Sequence, residues 1–244
     1  MGRRRVLITG AAGRVGAYLG RHMQNLYDLR LADIRPLDYE VGPSHERLEL
    51  DITKLDQMQR ACRDMDTIVH LAANPSPSAT FYGSLLEPNV IGMFNAFQAA
   101  ADQKCRRMVF ASSLVAVLGY DPQVAVTADM AANPPYVYGA CKAFGEALAC
   151  AFHHQFGLST VSIRFGAVRD EPPPGDPSEQ TIWITKADAT HLVACCIEAE
   201  GIDFAIVHGL SDHRVCNFDI SQTGELVGYR PRDGTARDAG TPSG

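Results

Sequence analysis

A glycine-rich turn lies between the first apolar run of the chain and the first helix-compatible stretch. The turn is Gly10-Ala-Ala-Gly13-Arg-Val-Gly16; the apolar run 6–9 precedes it and a helical pattern over about residues 14–25 follows. Glycines at this spacing permit a tight turn and a close backbone approach to a pyrophosphate, which a helix N-terminus attracts. Because strand, turn and helix occur in the required order, we expect a dinucleotide to contact Gly10, Gly13, Arg14, Val15 and Gly16.

Strand-like apolar runs alternate with helical patterns along the rest of the chain. Strands are predicted at residues 6–9, 29–32, 67–71, 108–111, 160–164 and 205–208. Helices are predicted at residues 14–25, 89–102 and 138–156, and a further helix near residue 55. Continuous apolar strands that alternate with helices imply a parallel sheet covered on both faces. We therefore expect an α/β, doubly wound parallel sheet of the Rossmann type with a small C-terminal substrate-binding portion.

Length and proline content bound the domain organisation. A chain of 244 residues suits one domain. We expect a single Rossmann-type domain over residues 1–232, substrate-covering elements at about 167–185 and 209–232, and a flexible tail at 233–244. The Pro-rich segment 171–177 is predicted to be a loop because prolines lack a backbone donor, and it either covers an active site or is a rigid surface connector.

Composition excludes several other classes. The net charge of −6 argues against general nucleic-acid binding, and no apolar run reaches the length of a membrane span. The seven cysteines are odd in number and show no C-x-x-C spacing, and the histidines show no zinc-ligand spacing. We expect a cytoplasmic protein that binds neither nucleic acid nor membrane and has no metal site.

Asp33 indicates which dinucleotide is bound. It ends the second predicted strand, about twenty residues after the glycine turn, where a carboxylate can accept both ribose hydroxyls and repel a 2′-phosphate. This favours NAD over NADP, although the nearby Arg14 and Arg35 would partly offset the repulsion. The alternative is an aspartate that only forms a turn, which the matching spacing disfavours.

Two later segments are further candidates for cofactor contact. Asp51 and Ile52 follow an apolar run, and Asp51 either meets the adenine amino group or caps the helix that begins near residue 55. Leu71, Ala72 and Ala73 end a predicted strand with mostly small residues, where the backbone can pass close to the cofactor. The preceding residue, His70, is expected to pack in the core.

The strongest catalytic pattern is Tyr138-Gly-Ala-Cys-Lys142. Residues four apart share a helix face, so the phenol and the ammonium can meet over one ligand. A cation near a phenol lowers a pKa that is normally about 10. The pair therefore predicts a base that removes a proton from an alcohol, provided that it does not simply lie on a solvated helix face.

Taken together, these motifs resemble the extended type of the short-chain dehydrogenase/reductase superfamily, also called the NAD-dependent epimerase/dehydratase family. The glycine turn, the segments described above and the pairs Ser112-Ser113 and Tyr138/Lys142 occur in the order of that family up to about residue 233. Segments 31–38, 110–113, 119–123, 138–146, 163–166 and 228–233 are similar to uronate dehydrogenases in particular. That resemblance implies NAD-dependent oxidation of a CH–OH group of a sugar or sugar acid.

The resemblance also implies roles for individual residues. Tyr138 would be the general base, Lys142 would lower its pKa and bind the nicotinamide ribose, and Ser113 would hydrogen-bond the reacting oxygen. Asn89 would support the lysine through a water relay. Phe165 would lie near the nicotinamide, whereas Ser112 would be structural because it points the other way on its strand.

The substrate-binding residues depart from the pattern of uronate dehydrogenases. Besides Ser113 and Tyr138, the resemblance points to Ser76 (or Ser78), Leu114, Ala167 and Arg169. Leu114 and Ala167 replace an asparagine and a serine of the relatives. The loop 171–180 has no basic residue where the relatives use an arginine to hold a carboxylate. Arg169 either substitutes for that arginine or is a solvated loop residue.

Two alternative functions and an assembly follow from the same resemblance. The chain is either a dehydrogenase, a nucleotide-sugar epimerase or dehydratase with retained NAD, or an NAD-binding protein without catalysis. A homodimer or larger homo-oligomer would assemble through the long helices that begin near Asn89 and Tyr138. Its substrate would be a small, sugar-like molecule.

Overall fold

The computed structural model describes residues 2–76, 78–171, 182–213 and 216–234. The strands are β1 (Arg5–Thr9), β2 (Asp28–Asp33), β3 (Glu46–Glu49), β4 (Thr67–His70), β5 (Arg107–Ser113), β6 (Ser159–Phe165), β7 (Ala167–Val168), β8 (Trp183–Ile184) and β9 (Phe204–Gly209). The α-helices are α1 (Arg14–His22), α2 (Leu55–Cys62), α3 (Met93–Asp102), α4 (Val137–Phe156), α5 (Lys186–Glu198) and α6 (Ser221–Val227). A π-helix spans Phe81–Gly92, and a 3₁₀ turn spans Leu114–Ala116.

Seven of the strands form one parallel sheet in the order β3-β2-β1-β4-β5-β6-β9. The chain builds the sheet outwards from β1 to β3 and then continues from β4 on the other side of β1. This reversal opens a crevice at the carboxyl ends of β1 and β4, where ligands bind in such sheets. The predicted Rossmann-type fold is confirmed. The short strands β7 and β8 pair with each other beside this sheet.

Both faces of the sheet are covered, which explains the continuous apolar strands. Val6 and Ile8 of β1 belong to an apolar cluster with residues of α1 and α5, whereas Leu7 between them belongs to a second cluster with residues of α2, α3 and α4. Every predicted strand is present, most of them one or two residues longer than predicted. Within the described ranges, no helix combines the length and the apolar character that a bilayer crossing needs.

The structure also departs from the sequence-based elements. β3, α5 and α6 were not predicted; all four residues of β3 are exposed, so this edge strand has no apolar pattern. The helix predicted at 89–102 is preceded by a π-helix that begins at Phe81 and includes Pro88, which has no N–H for the hydrogen-bond ladder. The predictions for the Pro-rich loop and the tail fall mainly on residues 172–181 and 235–244, which lie outside the described residues.

Candidate active site

The glycine turn forms a cradle that side chains would fill. Gly10 has a φ of +75°, and a Cβ there would lie 2.7 Å from the Ala72 nitrogen, whereas a Cβ on Gly16 would overlap the Gly10 carbonyl. The Gly13 N–H donates to that carbonyl over 2.9 Å, and α1 begins at the next residue. No side chain of the described residues caps this helix, so its first N–H groups face outward without an intrahelical partner. The cradle therefore fits a pyrophosphate.

Asp33 connects the end of β2 to this turn. Its Oδ2 accepts from the Ala12 N–H and its Oδ1 from the Arg35 N–H, both over 2.9 Å. The Arg35 Nε lies 3.6 Å from Oδ1, and the arginine side chain is 64% exposed. The carboxylate thus forms a turn, as the alternative interpretation required. Each oxygen still has lone-pair capacity for a ribose hydroxyl.

Asp51 does not cap the helix that follows it. Its Oδ1 accepts from the N–H and the hydroxyl of Thr53, over 2.9 and 2.7 Å. The N-cap position of α2 is occupied by Lys54, with no side-chain cap. The interpretation as an N-cap is therefore wrong, because Asp51 closes a tighter local turn; contact with adenine stays a prediction. Ile52 is buried, and its carbonyl accepts from the Asn95 amide.

The end of β4 lies beside the glycine turn. The Leu71 N–H donates to the Thr9 carbonyl, and Ala72 and Ala73 continue along the same edge of the sheet. His70 is buried, as predicted, with its Nδ1 2.8 Å from the Thr9 hydroxyl oxygen. Burial, with a smaller effect of Lys142, lowers the pKa of His70 to about 3, so the ring is neutral.

Tyr138 and Lys142 are both buried and lie on one face of α4. The Lys142 Nζ is 5.7 Å from the centroid of the Tyr138 ring and 5.2 Å from that of Phe110. It donates a 2.7 Å hydrogen bond to the Ala111 carbonyl, near the end of β5. A solvated helix face, the simpler interpretation of the pair, is excluded by this burial.

The pKa values of this pair differ from the expectation. Burial raises the pKa of Tyr138, and a hydrogen bond with Ser113 opposes that rise. Burial lowers the pKa of Lys142 to about 8. The Lys142 ammonium donates its described hydrogen bond to the Ala111 carbonyl. Because the net shift of the Tyr138 pKa is upward, the predicted lowering of that pKa is wrong.

Ser113 reaches Tyr138 because α4 packs against β5. Ser113 is the last residue of β5, and its Oγ accepts from the Val115 N–H over 3.2 Å. Its hydroxyl also opposes the rise of the Tyr138 pKa that burial causes, so the strand end lies beside the first turn of α4. Phe165 ends the adjacent strand β6 and is also buried. These groups lie at the edge of the sheet where the crevice opens.

Asn89 makes its described contacts to a loop. Its Oδ1 accepts from the Asn74 N–H over 2.7 Å, and its Nδ2 donates to the Asn74 carbonyl over 2.9 Å. The Asn74 side chain in turn accepts from the Ser76 N–H, and the Ser76 hydroxyl lies 3.0 Å from that of Ser78. Asn89 thus holds the segment that carries both candidate serines. A water relay to Lys142 stays a prediction.

The remaining substrate candidates lie in different surroundings. Leu114 is buried in an apolar cluster with Val117, Val126, Leu210 and Phe218. Ala167 is exposed, and Arg169 is half-buried with its N–H bonded to the Ile184 carbonyl over 3.0 Å. Leu114 therefore contributes to an apolar wall, and Arg169 is the cation closest in sequence to the loop that begins at Glu171.

A buried ion pair behind the site was not predicted from the sequence. Arg164 of β6 and Glu146 of α4 form two 2.8 Å hydrogen bonds, and Ser112 donates to Glu146 over 2.6 Å. The structural role expected of Ser112 agrees with this contact. The available signal was the spacing of Glu146, which lies four residues after Lys142 and shares its helix face.

The crevice beside β1, with the glycine cradle on one side and the tyrosine and lysine on the other, is that of a Rossmann-type enzyme that binds a dinucleotide. Within that class, the chain belongs to the NAD dependent epimerase/dehydratase family, whose sequence profile matches residues 6–192. The predicted family and its NAD dependence are confirmed by this match.

Individual relatives agree over nearly the whole chain. The NAD-dependent glucose-6-phosphate dehydrogenase of Haloferax volcanii is 34% identical in an alignment of 249 positions, which covers 95% of this chain and 94% of the relative. The uronate dehydrogenase of Pseudomonas putida is 30% identical over 230 residues, with coverage of 94% and 84%. A mutant uronate dehydrogenase from Agrobacterium tumefaciens, solved in complex with NAD, superposes with a TM-score of 0.87 at 31% identity and covers 96% of this chain and 86% of its own.

Proposed function

We propose that the protein is an NAD-dependent dehydrogenase that oxidises a CH–OH group of a sugar or sugar acid. The observation that carries this proposal is the burial of Tyr138 beside Ser113, whose hydroxyl lowers the pKa of the tyrosine, with the Lys142 ammonium 5.7 Å from the centroid of the tyrosine ring. Two hydroxyls placed in this way can bind one substrate oxygen together. The names of the relatives, which act on glucose 6-phosphate and on uronates, support the substrate class.

In this mechanism Tyr138 removes the proton of the substrate hydroxyl while Ser113 donates a hydrogen bond to the same oxygen. The chemistry that NAD would supply when bound is acceptance of a hydride from the substrate carbon. Lys142 supplies a positive charge next to the tyrosinate that accepts this proton, and the Ala111 carbonyl holds the ammonium in place. Because burial raises the pKa of Tyr138, we expect oxidation to be faster at alkaline pH.

The cofactor is proposed to extend along the crevice. Its pyrophosphate would bind the N–H groups at Gly13, Arg14, Val15 and Gly16 above Gly10. Asp33 would accept the adenosine ribose hydroxyls, and Asp51 with Ile52 would border the adenine. Leu71, Ala72 and Ala73 would line the middle of the cofactor, and Phe165, Tyr138 and Lys142 its nicotinamide end. The free helix N-terminus and the glycine cradle support this arrangement.

A screen of NAD reduction tests the activity and separates the substrate classes. Aldoses, hexuronates, sugar phosphates and polyols would each be supplied with NAD while NADH absorbance is recorded. We expect NADH with at least one aldose or sugar acid. Conversion of a sugar without net NADH would instead favour an epimerase, and NAD binding without any turnover a non-catalytic protein. A preference for anionic sugars would indicate that Arg169 binds the anionic group, because the segment 171–180 has no basic residue.

We also propose that the protein is a cytoplasmic homodimer or larger homo-oligomer built from one domain, residues 1–232. The apolar side chains of Ile91, Phe94 and Phe144 are 37–41% exposed on the π-helix, α3 and α4. Cys62, Cys105, Cys141, Cys150, Cys195 and Cys196 form no disulfide, which fits a reducing compartment. Light scattering would test the assembly by measuring the molar mass of the protein in solution. The double variant Phe94→Glu/Phe144→Glu should have a lower mass than the parent, whereas Leu226→Glu on α6 should have the parental mass.

The covering elements belong to the same proposal. The segment 209–232 contacts the site through Leu210 and Phe218, which pack against Leu114. The Val126 N–H donates a 2.6 Å hydrogen bond to the Asn217 carbonyl at the same contact. The other covering segment, 167–185, includes β7 and β8. Truncation after residue 208 should therefore expose the apolar cluster and abolish turnover with all substrates.

A further inference from the structure

Two opposite charges are buried directly behind the proposed proton-transfer groups. The side chains of Arg164 and Glu146 are 2% and 5% exposed. The Arg164 Nε and Nη2 donate to the two carboxylate oxygens of Glu146, each over 2.8 Å, so that the planar guanidinium and the carboxylate match as a fork. The Ser112 hydroxyl donates to the same carboxylate over 2.6 Å.

The guanidinium also binds the segment that precedes α4. Its Nη1 donates to the Ala128 carbonyl over 3.2 Å, and its Nη2 lies 3.5 Å from the Met130 carbonyl oxygen. Both carbonyls belong to the segment 117–136, between the 3₁₀ turn and α4. Val126 of this segment packs against Leu114. One side chain of β6 therefore binds both α4 and the apolar wall of the site.

The position of these groups links them to the reaction. Glu146 lies on the same face of α4 as Tyr138 and Lys142, because the three follow one another at intervals of four residues. Ser112 immediately precedes Ser113 on β5. Any shift of Glu146 relative to Ser112 would therefore also move the Tyr138 hydroxyl relative to that of Ser113.

Stability alone does not account for such a pair. Burial of two charges costs about as much free energy as their attraction returns, and well-packed apolar side chains often stabilise a core as well or better. What the ion pair adds is a single geometry, since its forked hydrogen bonds are satisfied in only one arrangement of helix and strand.

We propose that Ser112, Glu146 and Arg164 form a positioning unit that fixes α4 against the end of β5 and thereby sets the distance between the Tyr138 and Ser113 hydroxyls. None of the three touches the substrate; they act through the two hydroxyls. The proposal rests on the proposed dehydrogenase function, because it assigns those hydroxyls to the reaction.

The double variant Glu146→Gln/Arg164→Met tests the unit. Glutamine keeps an oxygen that can accept from Ser112, and methionine fills the space of the arginine stem without leaving an unpaired charge. We expect a folded protein with a thermal midpoint close to that of the parent and an unchanged KM for NAD. Its kcat should fall about 10- to 100-fold, the usual loss when reacting groups are misplaced by about 1 Å.

The pair Asp66 and Arg106 provides a matched control at the opposite, amino edge of the sheet. Arg106 donates to both oxygens of Asp66 over 3.0–3.2 Å. The double variant Asp66→Asn/Arg106→Met removes a forked ion pair whose side chains are 27–33% exposed, at the edge of the sheet opposite Tyr138. It should leave kcat within about twofold of the parent, since effects at distant sites are independent.

Hydrogen exchange gives a second measure that does not depend on activity. Loss of the Arg164 bonds should accelerate exchange in the segment 117–136 in the first double variant and not in the control.

A folded Glu146→Gln/Arg164→Met protein with parental kcat and parental exchange would overturn the proposal. Should that variant not fold, Arg164→Lys takes its place: lysine keeps the charge and loses the fork, so an unchanged kcat would equally overturn it. A parent that is inactive on every sugar would overturn the dehydrogenase function, while the exchange result would still decide the structural part.

Discussion

The Lys142 Nζ lies 5.7 Å from the centroid of the Tyr138 ring, and both side chains are buried on the same face of α4. The ammonium is held by the Ala111 carbonyl, so it lies beside the ring and is not bonded to the phenol oxygen. Burial raises the pKa of the tyrosine and lowers that of the lysine to about 8. Among the effects on the Tyr138 pKa, that of Ser113 opposes the effect of burial. Ionisation of the tyrosine therefore depends on Ser113.

Replacement of Tyr138 by phenylalanine should abolish turnover and preserve cofactor binding. The variant keeps the ring and loses the hydroxyl that takes the proton, so kcat should fall about 10²- to 10⁴-fold. Steady-state kinetics measure the loss, and quenching of Trp183 fluorescence on titration with NAD measures binding. Tyr136→Phe is the matched control, because Tyr136 is 52% exposed two residues earlier in the chain. Turnover of Tyr138→Phe near the parental rate would refute the mechanism.

Replacement of Ser113 by alanine should move the pH dependence of oxidation to higher pH. The hydrogen bond from Ser113 lowers the pKa of Tyr138, so its removal leaves the opposing effect of burial and raises that pKa further. At neutral pH less tyrosinate forms, and kcat/KM should fall by about tenfold or more. A kcat/KM profile over pH records the shift of the rising limb. Ser113→Thr retains a hydroxyl and should restore most of the profile; identical profiles for Ala and the parent would contradict the assignment.

Replacement of Asp33 by asparagine should weaken the preference for NAD. The carboxylate repels a 2′-phosphate, and its removal leaves the exposed Arg35 next to that position. We expect the ratio of kcat/KM for NAD to kcat/KM for NADP to fall by about tenfold. This corresponds to a loss of about 1.4 kcal/mol in the difference in transition-state stabilisation between the two cofactors. Asp38→Asn serves as the control, since that side chain is 82% exposed and pairs with Arg21. An unchanged ratio in Asp33→Asn would remove Asp33 from the cofactor site.

Acid should destabilise the fold through two buried histidines. Burial lowers the pKa of His70 to about 3 and that of His208 to about 4, below the value of about 6.5 for an unfolded chain. As the pH falls below about 6.5, the unfolded chain binds protons that the folded protein excludes, so the free energy of unfolding decreases by up to about 1.4 kcal/mol per pH unit and histidine.

Urea unfolding at pH 7 and pH 5 tests this linkage. His208→Asn keeps a donor for the Asp219 carbonyl, to which the His208 Nδ1 is bonded, and removes the titrating ring. The decrease in unfolding free energy from pH 7 to pH 5 should be about 2 kcal/mol smaller in this variant than in the parent. His154→Asn at an exposed position should leave the difference unchanged. Equal differences in the parent and in His208→Asn would show that His208 takes up its proton in the folded state as well.

Short-range patterns predicted the fold, and they selected candidate site residues that the structure brings to one edge of the sheet. The glycine turn, Asp33 and the spacing of Tyr138 and Lys142 each depend on a few neighbouring residues, and helix or strand geometry then places them on one edge or face. The π-helix was missed because Pro88 normally ends a helix, and β3 was missed because its side chains are all exposed. The interpretation of Asp51 as an N-cap failed because a nearer donor, Thr53, was available.

Chain order and local spacing were thus sufficient for the Rossmann-type sheet and for the NAD-dependent family, and they placed the proposed tyrosine and lysine on one helix face. The tertiary structure decided which charges are buried and what they contact. Arg164 and Glu146 are 18 positions apart, and Ser112 and Glu146 are 34 apart, so their contacts exist only once α4 lies against β5 and β6. The pKa shifts of Tyr138 and Lys142 follow from the same packing, because desolvation depends on everything that surrounds a group and not on its neighbours in sequence.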